Sequence, residues 1–181
     1  MRAEWAILCA CVMTGGVQAA PPKPAGGLIK RGEYLVGIMG CNDCHTPLKM
    51  GPKGPEPDKS LLLSGHPSGM KMTSAPDLGQ GPWMWSGAAT MTAFAGPWGV
   101  SFSANLTPDK DTGAGAWPEK TFITALRTGK HFGKGRPILP PMPWPGVGGA
   151  TDADLKAIHA YLRSIPPIHN QVPEPQPPSN H

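Results

Sequence analysis

The chain is 181 residues long and carries a formal net charge of +4, with its basic residues dispersed rather than clustered. This length corresponds to one ordinary domain, and the dispersed charge excludes the basic stripe that nucleic-acid binding requires. Glycine and proline number 24 each, a content that without a cofactor would indicate loops and disorder.

Residues 1–20 have the features of a secretory signal peptide. Arg2 provides a positive start, residues 5–13 form an apolar core, and small residues at 17–19 provide a cleavage site. The apolar run is much shorter than the ~20 residues that span a bilayer, so no membrane span is predicted. The mature chain is therefore expected in the periplasm. A lipoprotein signal ending at Cys11 is the alternative, although its apolar core would be too short.

A first helix is predicted from about Leu28 to Gly40, because apolar residues recur there at helical spacing. Within it, Gly32 and Gly37 would allow another backbone to come close. The helix leads directly into Cys-Asn-Asp-Cys-His at residues 41–45, the most informative stretch of the chain.

The spacing of Cys41, Cys44 and His45 is that of covalent haem attachment. Two thiols on one helical turn can each add to a vinyl group of the porphyrin, while the adjacent histidine ligates the iron. A zinc site would need four ligands, and the remaining cysteines, Cys9 and Cys11, lie in the predicted signal peptide. A thioredoxin-like motif would follow a strand, and no strand pattern precedes Cys41. The motif therefore predicts one covalent haem c, which would also supply apolar core.

Residues 46–117 show almost no helical or strand periodicity, which is uncommon unless such a segment wraps something or has a function. Its large aromatic side chains include Trp83, Trp85, Phe94 and Trp98. They are expected to form a satellite core or to cover the haem edge, and a partner-docking patch is the alternative. Residues 109–113 superficially suggest a calcium loop but lack its ligands, so a tight turn is predicted.

Two further helices are predicted in the second half of the chain. One begins at Pro118 and ends near Gly129, and the last is capped by Thr151 and stopped by the prolines at 166 and 167. The last helix has an apolar stripe that needs a partner, and the first helix is the natural one. Residues 169–181 are polar and Pro-rich and are predicted to form a disordered tail.

The sixth iron ligand is predicted to be Met142. It lies in a loop, residues 136–145, that contains five prolines, and prolines hold a weak thioether ligand at fixed reach because they restrict the backbone in advance. The competing candidates are Met70, Met72, Met84, Met91, His66 and His131.

Several motifs carry a family resemblance: residues 105–109 (Asn-Leu-Thr-Pro-Asp), 127–129 (Arg-Thr-Gly), 140–143 (Pro-Pro-Met-Pro) and 154–162. With the Cys-x-x-Cys-His site, residues 27–168 resemble the class I cytochrome c fold. More narrowly, they resemble haem domains in the cytochrome subunits of bacterial alcohol and gluconate dehydrogenases. The resemblance implies an all-α domain with a few short helices and a long irregular loop. It also implies that Cys41 and Cys44 bind haem covalently, and that His45 and Met142 are the axial ligands.

The function expected from a His/Met-ligated haem is one-electron transfer in the periplasm, without enzymatic activity. The partners would be redox proteins, a dehydrogenase or an oxidase. The chain would be either a carrier that diffuses between them or a subunit docked to one of them. Lysines could border the haem edge and steer an acidic partner. They are Lys49, Lys53, Lys71, Lys130 and Lys134. The alternative is a haem enzyme or gas sensor with an open distal position, in which Arg136 and Trp144 act on a bound oxygen species.

Overall fold

The computed structural model describes residues 25–73, 75–78 and 81–178, so the predicted signal peptide lies outside the described residues. The described ranges contain five α-helices: α1 (Ala25–Ile38), α2 (Cys41–His45), α3 (Glu119–Thr128), α4 (Trp144–Gly148) and α5 (Asp152–Leu162). They also contain five strands: β1 (Leu48–Gly51), β2 (Gly54–Pro57), β3 (Ser86–Gly87), β4 (Ala93–Gly96) and β5 (Gly99–Phe102). Short 3₁₀ turns span Lys59–Leu61, Ala114–Ala116 and His131–Gly133. No described helix has the length and apolar character needed to cross a membrane.

The predicted all-α fold is not confirmed, because the long segment after His45 contains two small antiparallel sheets. β1 pairs with β2, and β4 pairs on one side with β3 and on the other with β5. None of these strands exceeds four residues, and β4 and β5 are buried along almost their whole length. Strands so short, with no exposed alternate face, leave no period-2 pattern in the sequence.

Helices α1 and α5 pack against each other as predicted, and the contact depends on Gly32. A Cβ atom at Gly32 would overlap the carbonyl of Ala157 and lie 2.7 Å from the Cβ of Tyr161. Gly37, by contrast, has nothing within 4 Å of such a Cβ and does not serve a close approach. An ion pair between Arg31 Nε and Asp154 Oδ1, at 2.9 Å, joins the two helices at the surface.

One hydrophobic core lies between α1, α3, α4 and α5. Its fully buried members are Leu35, Val36, Leu63, Phe122, Leu126, Val147, Leu155, Ala157, Ile158 and Leu162. The apolar stripe predicted for the last helix accounts for part of this core. Helix α5 begins as expected, since Thr151 Oγ1 accepts a hydrogen bond from the Asp154 amide at 3.1 Å.

The tail was predicted to be disordered, but as far as residue 178 it makes defined contacts with the rest of the chain. Asn170 is only 8% exposed, and Gln176 forms an antiparallel bridge with Val100 in which both amides donate at 2.9 Å. Polar, Pro-rich composition predicts disorder because such a segment buries little apolar surface. Here the tail is instead held by hydrogen bonds to distant parts of the chain, which composition does not reveal.

Replacing Gly32 with Ala is expected to destabilise the protein by about 1–3 kcal/mol, because the added methyl group forces α1 away from α5. Replacing Gly37 with Ala is the matched control in the same helix. It should raise stability by about 0.5–1 kcal/mol, because alanine loses less backbone entropy than glycine and meets no neighbour. Denaturant unfolding of both variants measures this. Equal midpoints would contradict the close packing of α1 on α5.

Candidate functional site

Helix α2 places Cys41, Cys44 and His45 at the end of a sharp turn. Gly40 has φ +70°, a left-handed conformation that lets the chain leave α1 and enter α2 at once. Both cysteines are partly buried and neither forms a disulfide. Because they are three positions apart on a helix, their side chains lie on the same face.

The two thiols are held in the protonated form. Burial is the largest of the effects that raise the pKa of Cys41, to about 11. Burial also raises the pKa of Cys44, and the negative charge of Asp43 adds a smaller increase. Redox-active thiols and thiolate metal ligands have lowered pKa values instead. The site is therefore unlike a thioredoxin-type pair.

The imidazole of His45 has a defined tautomer. The side chain is buried, and Nδ1 lies 2.7 Å from the carbonyl oxygen of Ala104. A carbonyl oxygen can only accept, so Nδ1 carries the proton and Nε2 keeps a free lone pair. Burial also lowers the pKa of His45, which keeps the ring neutral. A neutral histidine fixed by a backbone carbonyl in this way is the usual form of a metal ligand.

The Ala104 carbonyl belongs to a segment that is paired with residues 63–66. The Leu106 amide donates to the Leu63 carbonyl and the His66 amide to the Ser103 carbonyl, each at 2.9 Å. Within this pairing the Gly65 amide donates to the carbonyl of His45 at 2.8 Å. His45 is thus held through both its ring and its backbone.

Asn42, between the two cysteines, has a buried Oδ1 atom with no hydrogen-bond partner among the described residues. Buried polar atoms in proteins nearly always have a partner. Haem has no hydrogen-bond donor to offer this oxygen, so the fit of a haem depends instead on the two free thiols on one helix face and the neutral His45 beside them. The residues of α2 therefore fit a covalently attached haem.

Met142 is partly buried and packs against the main core, as Cys41 does. The loop that carries it is tied to β5, because the hydroxyl of Ser101 donates to the carbonyl of Pro140 at 2.6 Å, and the Pro140–Pro141 peptide bond is cis. The structure thus brings the predicted sixth ligand and one predicted attachment cysteine to the same core.

The competing ligands are less suitable. His66 has both ring nitrogens within hydrogen-bond distance of protein atoms, at 3.0 Å from Thr92 Oγ1 and 3.3 Å from the Met70 carbonyl. His131 packs edge-on against the ring of Trp117. Met70 and Met84 are exposed. Met72 lines a cavity of about 150 Å³ beside β3, β4 and β5.

Sequence reasoning missed the carbonyl of Ala104 and the buried amide side chains around it, although residues 105–109 had been noted as a family motif. In that motif Asn105 Oδ1 accepts hydrogen bonds from the amide and hydroxyl of Thr107, at 3.0 and 2.7 Å. The predicted tight turn at 109–113 is confirmed, since Asp109 Oδ1 accepts from the amides of Asp111 and Thr112. The role of Asn105 could have been predicted from the sequence, because the turn that it forms with Thr107 is local.

The aromatic residues of the long segment divide into two groups. Phe94 is 3% exposed, and the indole of Trp98 donates to Ser101 Oγ, so these two belong to a satellite core as predicted. Trp85 contacts Phe94 edge-on with ring centroids 5.7 Å apart, but it is 41% exposed and does not belong to that core. Trp83 is 75% exposed and remains a candidate for partner contact.

Protein stability is expected to fall as the pH drops below about 6.5, in part because of His66. Burial lowers the pKa of His66 below its usual 6.5, so the folded state keeps the ring neutral while the unfolded chain takes up a proton. His66→Gln retains a neutral amide near Thr92 and should therefore lose less stability between about pH 7.5 and about pH 5.5 than the parent protein. Denaturant unfolding at both pH values measures the difference, and identical losses would contradict a neutral His66.

Comparison with known proteins identifies relatives of one kind over most of the chain. No protein-family model matches. The gluconate 2-dehydrogenase cytochrome c subunit of Pantoea cypripedii is 30% identical over 142 residues, 78% of this chain and 24% of that protein. The cytochrome c subunit of alcohol dehydrogenase (quinone) from Gluconobacter oxydans is 28% identical over 152 residues, 81% of this chain and 24% of that protein.

A shorter match is to one of the subunits of nicotinate dehydrogenase from Pseudomonas putida, 38% identical over 80 residues, 44% of this chain and 7% of that protein. The chain spans a quarter or less of the length of each of these relatives. Over most of its own length it is homologous to the cytochrome c subunits of bacterial alcohol and gluconate dehydrogenases.

Proposed function

We propose that this chain transfers single electrons through one covalently bound haem c, held by Cys41 and Cys44 and ligated axially by His45 and Met142. The observation that carries the proposal is the hydrogen bond from His45 Nδ1 to the Ala104 carbonyl, which leaves Nε2 free as a ligand. The sequence contains a single Cys-x-x-Cys-His motif, which supports one haem. A haem with His and Met ligands supplies a low-spin iron with a relatively high reduction potential.

The protein's own residues prepare the site for this role. Burial keeps His45 neutral, so no proton competes for its Nε2 lone pair. The hydroxyl of Ser101 and the surrounding prolines hold the Met142 loop, so a weak thioether can stay in place when the charge of the site changes. Fixed ligands favour electron transfer because little reorganises between the two charge states.

The alternative of a haem enzyme or gas sensor finds little support in the residues suggested for it. The guanidinium of Arg136 pairs with Glu174, with Nε and Oε2 3.4 Å apart. The ring of Trp144 lies against Gly129, where a Cβ would be only 2.5 Å from the indole Cζ2. Both side chains thus have structural contacts, and neither forms the acid–base pair that oxygen chemistry requires. We therefore favour a non-enzymatic electron carrier.

A dehydrogenase is the proposed electron donor, and the periplasm the proposed location, because the relatives are cytochrome subunits of dehydrogenases. The basic turn formed by residues 130–136 is the proposed contact surface. It leads directly into the Met142 loop, and both Lys130 and Lys134 are exposed. Lys49, in contrast, pairs with Asp58 at 3.3 Å and is less available to a partner.

Replacing Met142 with Ala is expected to remove the weak far-red band of ferric haem that a sulfur ligand produces. The reduction potential should fall, and the reduced protein should bind carbon monoxide rapidly, because one axial position is open. Met70→Ala removes an exposed methionine and serves as the control, with spectrum and potential unchanged. A Met142→Ala protein that kept the band would assign the sixth ligand elsewhere, and rapid carbon monoxide binding by the parent protein would favour the sensor.

The double variant Lys130→Glu/Lys134→Glu is expected to slow oxidation by hexacyanoferrate(III), a small anion, several-fold at low ionic strength. The rate should also lose most of its dependence on salt, because the basic turn no longer attracts the anion. Lys30→Glu/Lys110→Glu makes the same change of net charge at two exposed lysines outside that turn. Stopped-flow rates for the two double variants should differ, and equal rates would show that only total charge matters.

A further inference from the structure

Asn170 lies in the tail that follows α5 and is buried, with 8% of its surface exposed. Its Nδ2 donates to two carbonyl oxygens, those of Ser64 at 2.7 Å and His66 at 2.9 Å. Its Oδ1 accepts from the amide of Ser68 at 2.9 Å. Both Nδ2 protons and the Oδ1 atom are thus used, and the amide can be oriented in only one way.

Gly65 lies between the two carbonyls that Asn170 binds, and it touches the Ala104 carbonyl. Its φ is +79°, and a Cβ at this position would lie only 2.6 Å from the carbonyl oxygen of Ala104. This is the same oxygen that accepts the hydrogen bond from His45 Nδ1. The Gly65 amide also donates to the His45 carbonyl. Residues 64–66, which Asn170 binds, therefore contact both His45 and Ala104, the two residues that this hydrogen bond joins.

The tail also holds the other side of the Ala104 carbonyl. Asn105 Nδ2, on the next residue along the chain, donates to the carbonyl of Ile168 at 2.8 Å. The backbone amide of Asn170 donates to Thr112 Oγ1 at 3.0 Å. One short stretch of tail therefore binds both segments that enclose the acceptor of the His45 hydrogen bond.

We propose that Asn170 is a positioning residue that fixes the Ala104 carbonyl and, through it, the ring of His45. This inference rests on the haem function proposed above. The hydrogen bond on Nδ1 raises the basicity of a ligating histidine, which favours the more positively charged iron. Loosening the Ala104 carbonyl should therefore shift the reduction potential to more positive values.

The test uses the full haem-loaded protein with Asn170→Ala and Asn170→Asp. The carboxylate of Asp has almost the shape of the Asn amide but cannot donate to the carbonyls of Ser64 and His66. Exchange of the His45 Nδ1 proton with solvent, followed by NMR of the reduced protein, reports directly on its bond to Ala104. We expect this exchange to accelerate about tenfold in both variants. The reduction potential should rise in Asn170→Ala, which adds no charge, whereas the carboxylate of Asn170→Asp opposes the rise.

Two further changes test the same support, and the milder of them, Ser68→Pro, covers the case in which both Asn170 variants fail to fold. Ser68→Pro deletes only the amide that Asn170 Oδ1 accepts, and position 68 follows Pro67 in a turn closed by the Met70 amide at 3.0 Å, where proline is well tolerated. Gly65→Ala is the more severe change, because its Cβ would overlap the backbone of Ser103 and Ala104 and its φ is +79°. Both should change proton exchange and potential in the same direction as Asn170→Ala.

Gln176→Pro is the matched control, because it removes the hydrogen bond that the Gln176 amide donates to Val100 and leaves the contacts of Asn170 in place. It should lower stability without changing His45 proton exchange. If the variants at 170, 68 and 65 also lose only stability, Asn170 is a structural anchor and the inference is overturned. A parent protein without the NMR signals of an axial histidine would instead overturn the proposed function.

Discussion

The structure depends most on one hydrogen bond, the 2.7 Å contact between His45 Nδ1 and the carbonyl of Ala104. It joins residues 59 positions apart, so the chain must leave α2 and return to it. Residues 46–103 form this excursion, and their two small sheets help to hold the returning segment in place. The long segment is therefore part of the support of His45.

Glycine makes this arrangement compact in two different ways. At Gly32 the lack of a side chain lets α1 lie directly on the backbone of α5, and at Gly65 a positive φ brings one loop onto the carbonyl of another. Such contacts replace the large side chains that a chain rich in Gly and Pro lacks. The helices can then share one core of leucine, isoleucine, valine and phenylalanine side chains.

Buried amides hold together the parts that have little apolar surface. Asn105 and Asn170 are both buried, and each binds backbone groups of a segment distant in sequence. A buried amide without partners is costly, so these two residues specify one arrangement of tail and loops rather than merely adding stability. The exposed basic turn at 130–136 lies outside this network and is free to meet a partner.

The sequence by itself determined the predicted chemistry and the three longer helices. The prediction of covalent haem attachment follows from the local spacing of Cys41, Cys44 and His45, and the apolar stripe of α5 follows from a repeat that needs only neighbouring residues. It was less informative about residues 46–117 and the tail, where strands of four residues or fewer and Pro-rich polar stretches carry no period. Only the tertiary structure decided that Ala104 accepts from His45, that Asn170 holds the surrounding loops, and that Gly32 but not Gly37 permits close packing. Each of these depends on backbone groups brought together from distant positions, and a backbone carbonyl is the same in every residue, so no side-chain pattern can mark it.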